Sequence, residues 1–98
     1  MMRKAKTKTH PFDAAEYLAS EEAQAEYLTA ALETGDAAFI ADAIGVVARA
    51  KGMAEVAKQA GLGRESLYKA LSADGNPEFA TILKVIRALG LKLTAEPA

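Results

Sequence analysis

The 98 residues suit one small domain, and a 51% hydrophobic, 26% charged composition is that of a folded globular chain. There is no cysteine, which excludes disulfides, thiolate metal sites and cysteine nucleophiles, and a reducing cytoplasm is the natural setting. No apolar run approaches the ~20 residues that span a bilayer, and MMRKAKTKTHPF lacks the apolar stretch of a signal peptide, so a soluble protein is expected. The net charge of −1 argues weakly against a polyanionic partner, but it averages over a segregation. Residues 1–10 hold Arg3, Lys4, Lys6 and Lys8 with no acid; residues 13–42 hold eight acids with no Lys or Arg; residues 43–98 hold eight bases against five acids. Such a division suggests surfaces with different partners.

Alanine is abundant and β-branched clusters are few, so helix is expected throughout. Residues 1–11 show no apolar periodicity and read as a flexible basic arm ending at Pro11. Residues 12–35 read as acidic N-terminal helices, and 36–98 as the main domain. Asp13 with Glu16 is a start signal for a short helix. Ser20 caps a second, whose first turn holds Glu21 and Glu22, which carries Tyr27, Leu28, Ala31 and Leu32, and which stops at Thr34-Gly35. Asp36 caps a third, with Phe39, Ile40, Ala43, Ile44 and Val47 on one face, Arg49 and Lys51 near its end and Gly52 terminating it. A fourth helix is expected over Met53–Ala60 and a fifth over 64–71, followed by a loop at 72–75. Asn76 caps the sixth, with Pro77 at its first position; Phe79, Ile82, Leu83, Ile86 and Leu89 form its buried stripe, and Gly90 ends it. Leu91-Lys92-Leu93-Thr94 alternates apolar and polar, as a short strand or extended tail does.

The stretch VAKQAGLGRESLYKAL, residues 56–71, carries the functional signal. Two short helical patterns are separated only by Gly61-Leu62-Gly63. Gly61 supplies the positive φ that ends the first helix, and Ala57 allows the two helices to cross closely. Val56, Ala60, Leu62, Leu67 and Leu71 turn inward, which is the spacing of a helix-turn-helix. The second helix then presents Arg64, Glu65, Tyr68 and Lys69 on the face opposite Leu67 and Leu71, with Ser66 beside them. A protruding helix of this kind fits the major groove of double-stranded DNA. Arg64 suits guanine, Lys69 a phosphate or a second base, Tyr68 a phosphate or thymine methyl, and Glu65 a cytosine amine or the orientation of Arg64. The amides at Gly52-Met53-Ala54 can hold a phosphate, and Ser72, Lys58 and Asn76 are weaker candidates for backbone contacts. An ordinary packed helix pair is the competing reading.

Residues 36–90 resemble Cro/repressor-type (XRE-like) helix-turn-helix domains. Over residues 12–94, and above all in VAKQAGLGRESLYKAL and NPEFATILKVIRALGLKL, the chain resembles the addiction-module antidote family, antitoxins of the HigA type. The resemblance implies an all-α, lambda-repressor-like bundle of five to six helices with a short C-terminal extended segment. It also implies an antitoxin that binds a small RelE-like ribonuclease toxin and, as a homodimer, represses its own operon. Many relatives carry Ser where Gly63 stands, and glycine there removes a hydroxyl able to touch phosphate.

Elsewhere the sequence is quieter. His10 is the only histidine, so no catalytic triad and no His-based metal site assembles; neither enzymatic activity nor a cofactor is expected. The basic arm is open to two readings, a phosphate contact or a solubilising terminus. The acidic stretch is a docking surface for a small basic toxin or a face that simply stays wet. Leu91-Lys92-Leu93 pairs with a symmetry mate or packs on the sixth helix. A stand-alone phage or XRE-type repressor without a toxin, and a helical adaptor that uses these helices for protein contacts, are the alternative functions.

Overall fold

The structure, a computed structural model, describes residues 18–72 and 74–98. The expected basic arm, the helix start at Asp13 and Glu16, the lone His10 and Ala73 of the loop lie outside the described residues. Within them the chain is all-α, with no strand and five helices: α1 Glu21–Glu33, α2 Ala37–Lys51, α3 Met53–Ala60, α4 Arg64–Ala70 and α5 Phe79–Ala88. No helix among these residues is long and apolar enough to cross a membrane.

Local chemistry sets most of the boundaries. The Ser20 hydroxyl accepts from the Ala23 amide at 3.1 Å, and Glu21 and Glu22 complement the positive end of α1. At the other end the Thr34 hydroxyl donates to the Ala31 carbonyl at 2.7 Å and accepts from the Asp36 amide at 3.1 Å. The Asp36 carboxylate then accepts from the Phe39 amide at 3.1 Å, so one polar relay closes α1 and opens α2. A single residue, Gly52 at φ 120°, separates α2 from α3.

Helix α2 is the centre of the molecule. Residues 43–48 are all buried, because α1 and α3 pack against it and the end of α4 reaches it as well. Its small side chains follow from that crowding. A Cβ at Gly45 would lie 2.8 Å from the Leu71 carbonyl oxygen, so only glycine lets the end of α4 approach this closely. Helix α3 also packs on α4 and α5. The shared core is formed by Ile44, Val47, Val56, Leu67, Val85 and Leu89, with Leu18, Leu28 and Ala31 joining from the α1 side. The buried Gln24 amide donates to the Leu18 carbonyl at 2.9 Å, which satisfies a carbonyl that water cannot reach.

Three expectations are corrected. Asn76 does not cap the last helix and Pro77 does not begin it: α5 starts at Phe79, with Glu78 in extended backbone at the cap position. The Gly75 amide donates to the Ser72 carbonyl at 2.9 Å, and a Cβ at Gly75 would collide with the carbonyl oxygens of Lys69 and Ala70. The loop is thereby held tight against α4, and 76–78 stay extended to carry the chain onward to α5. Next, Phe79 and Leu83 are not core: they are 68% and 40% exposed, and the stripe buried or half-buried on α5 is Ile82, Val85, Ile86 and Leu89. Phe39, assigned to the inner face of α2, is likewise exposed. Among the described residues no element covers the outer start of α2 or α5, which is why their apolar periodicity overstates burial. The tail after Gly90 is extended without a strand, and Leu91 and Leu93 are half-buried against the core while Lys92 and Thr94 are exposed.

Two glycine substitutions test this architecture. Gly45→Ala gains about 1 kcal/mol of helix propensity. It also forces a backbone carbonyl to move, an overpacking cost of about 1–3 kcal/mol, so a net fall in the urea midpoint is expected. Gly61→Ala meets no atom within 4 Å, so its cost is the left-handed backbone alone at φ 73°. A loss of about 1–2 kcal/mol is expected in the same measurement.

Candidate nucleic-acid interface

The corner between α3 and α4 is built from the glycine backbone. Gly61 adopts φ 73°, ψ 32°; its amide donates to the Lys58 carbonyl at 3.2 Å, and the Leu62 amide donates back to Ala57 at 2.9 Å. This bond pair is a Schellman ending, and the half-buried Leu62 supplies its apolar contact. Ala57 is 4% exposed at the crossing, consistent with a position where a small side chain is required. Helix α4 then begins at Gly63, whose φ −71°, ψ 145° is ordinary cap geometry with no side chain to bond the first turn.

Leu67 at 0% and Leu71 at 3% exposure anchor α4 inward. Arg64, Glu65, Ser66, Tyr68 and Lys69 are all exposed, and none is covered by another described element. The Arg64 guanidinium lies 5.9 Å from the centroid of the Tyr68 ring, a cation–π distance worth about 0.5–1 kcal/mol at an exposed site. Glu65, Ser66, Tyr68 and Lys69 border one shallow depression of about 470 Å³.

A second open depression, about 620 Å³, lies on the other side of Tyr68. Arg64 and Tyr68 border it together with Gly52, Met53, Ala54 and Glu55 at the start of α3, and with Arg49 from the last turn of α2. Arg49 was read from the sequence only as a helix-end charge. Its place beside Arg64, fifteen positions later, arises from the packing of α2 on α3, and no local pattern announces it. Around the two depressions, Arg49, Arg64 and Lys69 stand against Glu55 and Glu65. The Glu55 carboxylate accepts from the Gln59 side-chain amide at 2.6 Å. The surface is cationic, with hydrogen-bond donors and one flat ring: chemistry that binds an anion or a nucleic-acid backbone.

The remaining site expectations are placed as follows. Met53 borders the depression but is buried, with 7% of its surface exposed. Lys58 is exposed at the far end of α3 and borders neither depression. The Ser72 hydroxyl donates to the Lys69 carbonyl at 3.0 Å and closes the end of α4. Asn76 lies apart from the cationic face, on the lip of an apolar groove between α1, α2 and α5.

Two short helices set at a glycine corner, inside an all-α bundle, define a helix-turn-helix bundle with an exposed polar second helix. Residues 8–97 match the family model described as "Probable addiction module antidote protein", and the chain belongs to that family. An uncharacterised protein of Haemophilus influenzae (strain ATCC 51907 / DSM 11121 / KW20 / Rd) is 47% identical over 85 residues, covering 87% of this chain and 88% of the relative. No solved structure matches the chain. Family membership supports an antitoxin role, that of a regulatory partner in a toxin–antitoxin pair.

The cap of α4 offers a local test. A Cβ at Gly63 meets only the Ser66 hydroxyl, at 3.7 Å, so Gly63→Ser fits the backbone without strain. The added hydroxyl caps the first turn, and a stability gain of a few tenths of a kcal/mol is expected. A higher urea midpoint for the variant checks it.

Proposed function

We propose that this protein is a HigA-type antitoxin with an XRE-like helix-turn-helix. It neutralises a small basic, RelE-like ribonuclease toxin by binding it, and it represses its own operon by sequence-specific binding to double-stranded DNA. The observation that carries the DNA half is the uncovered polar face of α4, with Arg64 stacked on Tyr68 and Arg49 beside them at the start of α3. Family membership supports the toxin half.

Helix α4 enters the major groove of the operator. Arg64 and Lys69 read base edges, and Glu65 and Ser66 flank them. Arg49 and the first amides of α3 hold a phosphate, at the positive end of the helix dipole. Lys58 and Ser72 are outer positions, from which a backbone contact depends on how α4 is inclined in the groove. Asn76, on the apolar lip, is given no part in DNA contact. The protein acts as a homodimer, so two copies of α4 sit ~34 Å apart on a two-fold operator.

Two readouts test this reading. The pair Arg64→Ala and Lys69→Ala is expected to weaken operator binding in a salt-controlled gel shift by about 1–3 kcal/mol for each lost bidentate base contact, with discrimination lost as well. Arg49→Ala is expected to weaken operator and random DNA alike and to lower the slope of log K against log salt by about 0.9. An unchanged affinity in the first pair rejects α4 as the reading helix. Growth rescue on co-expression with the protein encoded beside this gene tests the antitoxin half.

A further inference from the structure

The cationic face leaves unused a strongly apolar surface elsewhere on the molecule. Between α1, α2 and α5 runs an open groove of about 450 Å³, floored and walled by Leu28, Leu32, Ile40, Ile44, Phe79 and Ile82. Leu32 is 41% and Phe79 68% exposed, so large apolar side chains stand in water along its edges. Exposed apolar patches rimmed by polar residues are the mark of interaction surfaces.

The rim has one dominant sign. Glu33, Asp36, Asp42, Asp74 and Glu78 are all exposed, and each is a chain neighbour of a residue lining the groove. Lys92, next to Leu93, and Arg87, next to Ile86, are the two bases so placed, and Arg87 also borders a separate depression with Lys84, Gln59 and Ala60. A second copy of the chain docked face to face would bring this acidic rim against its own duplicate. A partner with an apolar stripe and Lys or Arg on its flanks meets complementary charge instead. An amphipathic helix supplies that arrangement, with anchors at i, i+3, i+4 and i+7.

We infer that the groove is the docking site for a basic amphipathic helix of the toxin, an assignment that rests on the antitoxin reading above. The two ends of the molecule are then divided: α4 for DNA, and the trough between α1, α2 and α5 for the protein partner. Phe79 and Leu32 are the apolar anchors, while Asp36 and Glu78 steer the approach of the cationic helix.

The test uses the full chain and two labelled helical peptides of equal length, one a Leu/Lys amphipath and the other its Leu/Glu counterpart. Saturable binding of the cationic peptide alone is expected in fluorescence anisotropy. Leu32→Gln and Phe79→Gln, both at exposed positions, are expected to weaken it by about tenfold or more with the circular dichroism unchanged. Asp36→Asn, which keeps a capping side chain, and Glu78→Gln are expected to weaken it and flatten its salt dependence. Equal binding of both peptides, or variants indistinguishable from the parent, overturns the inference. So does a fall in sedimentation mass from dimer to monomer in Phe79→Gln without change in peptide binding, because a second copy then covers the face. Binding that emerges only after deletion of residues 1–17 also overturns it, because the chain itself then fills the groove. In cells, the Gln variants are expected to lose growth rescue while still binding the operator. Absence of rescue by the parent rejects the antitoxin reading and leaves the peptide result on the groove standing.

Discussion

Burial of Leu67 in the shared core and of Leu71 against α2 is what makes α4 a helix at all, since seven residues are too few to hold helical structure alone in water. Each of those leucines contributes on the order of 1.5–3 kcal/mol when fully buried. The anchoring works only because the backbone of α2 recedes at Gly45, where the Leu71 carbonyl approaches closely, and because Gly61 turns the chain without a side-chain penalty. Two glycines far apart in sequence therefore fix one short rod, and its polar face is a consequence of where its leucines go.

That anchoring also explains how the molecule keeps two unlike surfaces apart. With the inner side of α4 consumed by leucines, its outer side is left to Arg64, Glu65, Tyr68 and Lys69, and Arg49 arrives beside it from the end of α2. The opposite end of α2 is acidic and apolar: Asp36 opens the helix, and Ile40 and Ile44 floor the groove shared with α1 and α5. The charge segregation along the chain carries over into space in part: Glu21 of the acidic stretch lies 3.8 Å from Lys51 at the basic end of α2, while Asp36 opens the other end. On the function proposed above, DNA and the protein partner contact different side chains.

The departures from expectation concern exposed apolar side chains on α2 and α5 and the segment between α4 and α5. Phe39, Phe79 and Leu83 continue the apolar periodicity of their helices past the point where another helix covers them, and Asn76 and Pro77 sit in an extended segment that lines the same groove. A reading that takes every periodic apolar residue as core has no means of locating where the covering element stops. Local pattern and burial disagree most at Phe79, which borders the open groove.

Much of the architecture was legible in the residues themselves. Ser20, Asp36, Gly52, Gly61 and Gly63 act through bonds and backbone angles within a turn of their own position, so sequence spacing is enough to find the ends they set. The outward face of α4 was legible for the same reason, since helical geometry relates positions 64, 65, 68 and 69 without reference to the rest of the chain. Only the tertiary structure decided that Arg49 stands beside Arg64, that Gly45 must be glycine, and that Phe79 borders an open groove. Each of these depends on the angle and distance between helices, which follow from the packing of many side chains at once and are not encoded in any one segment.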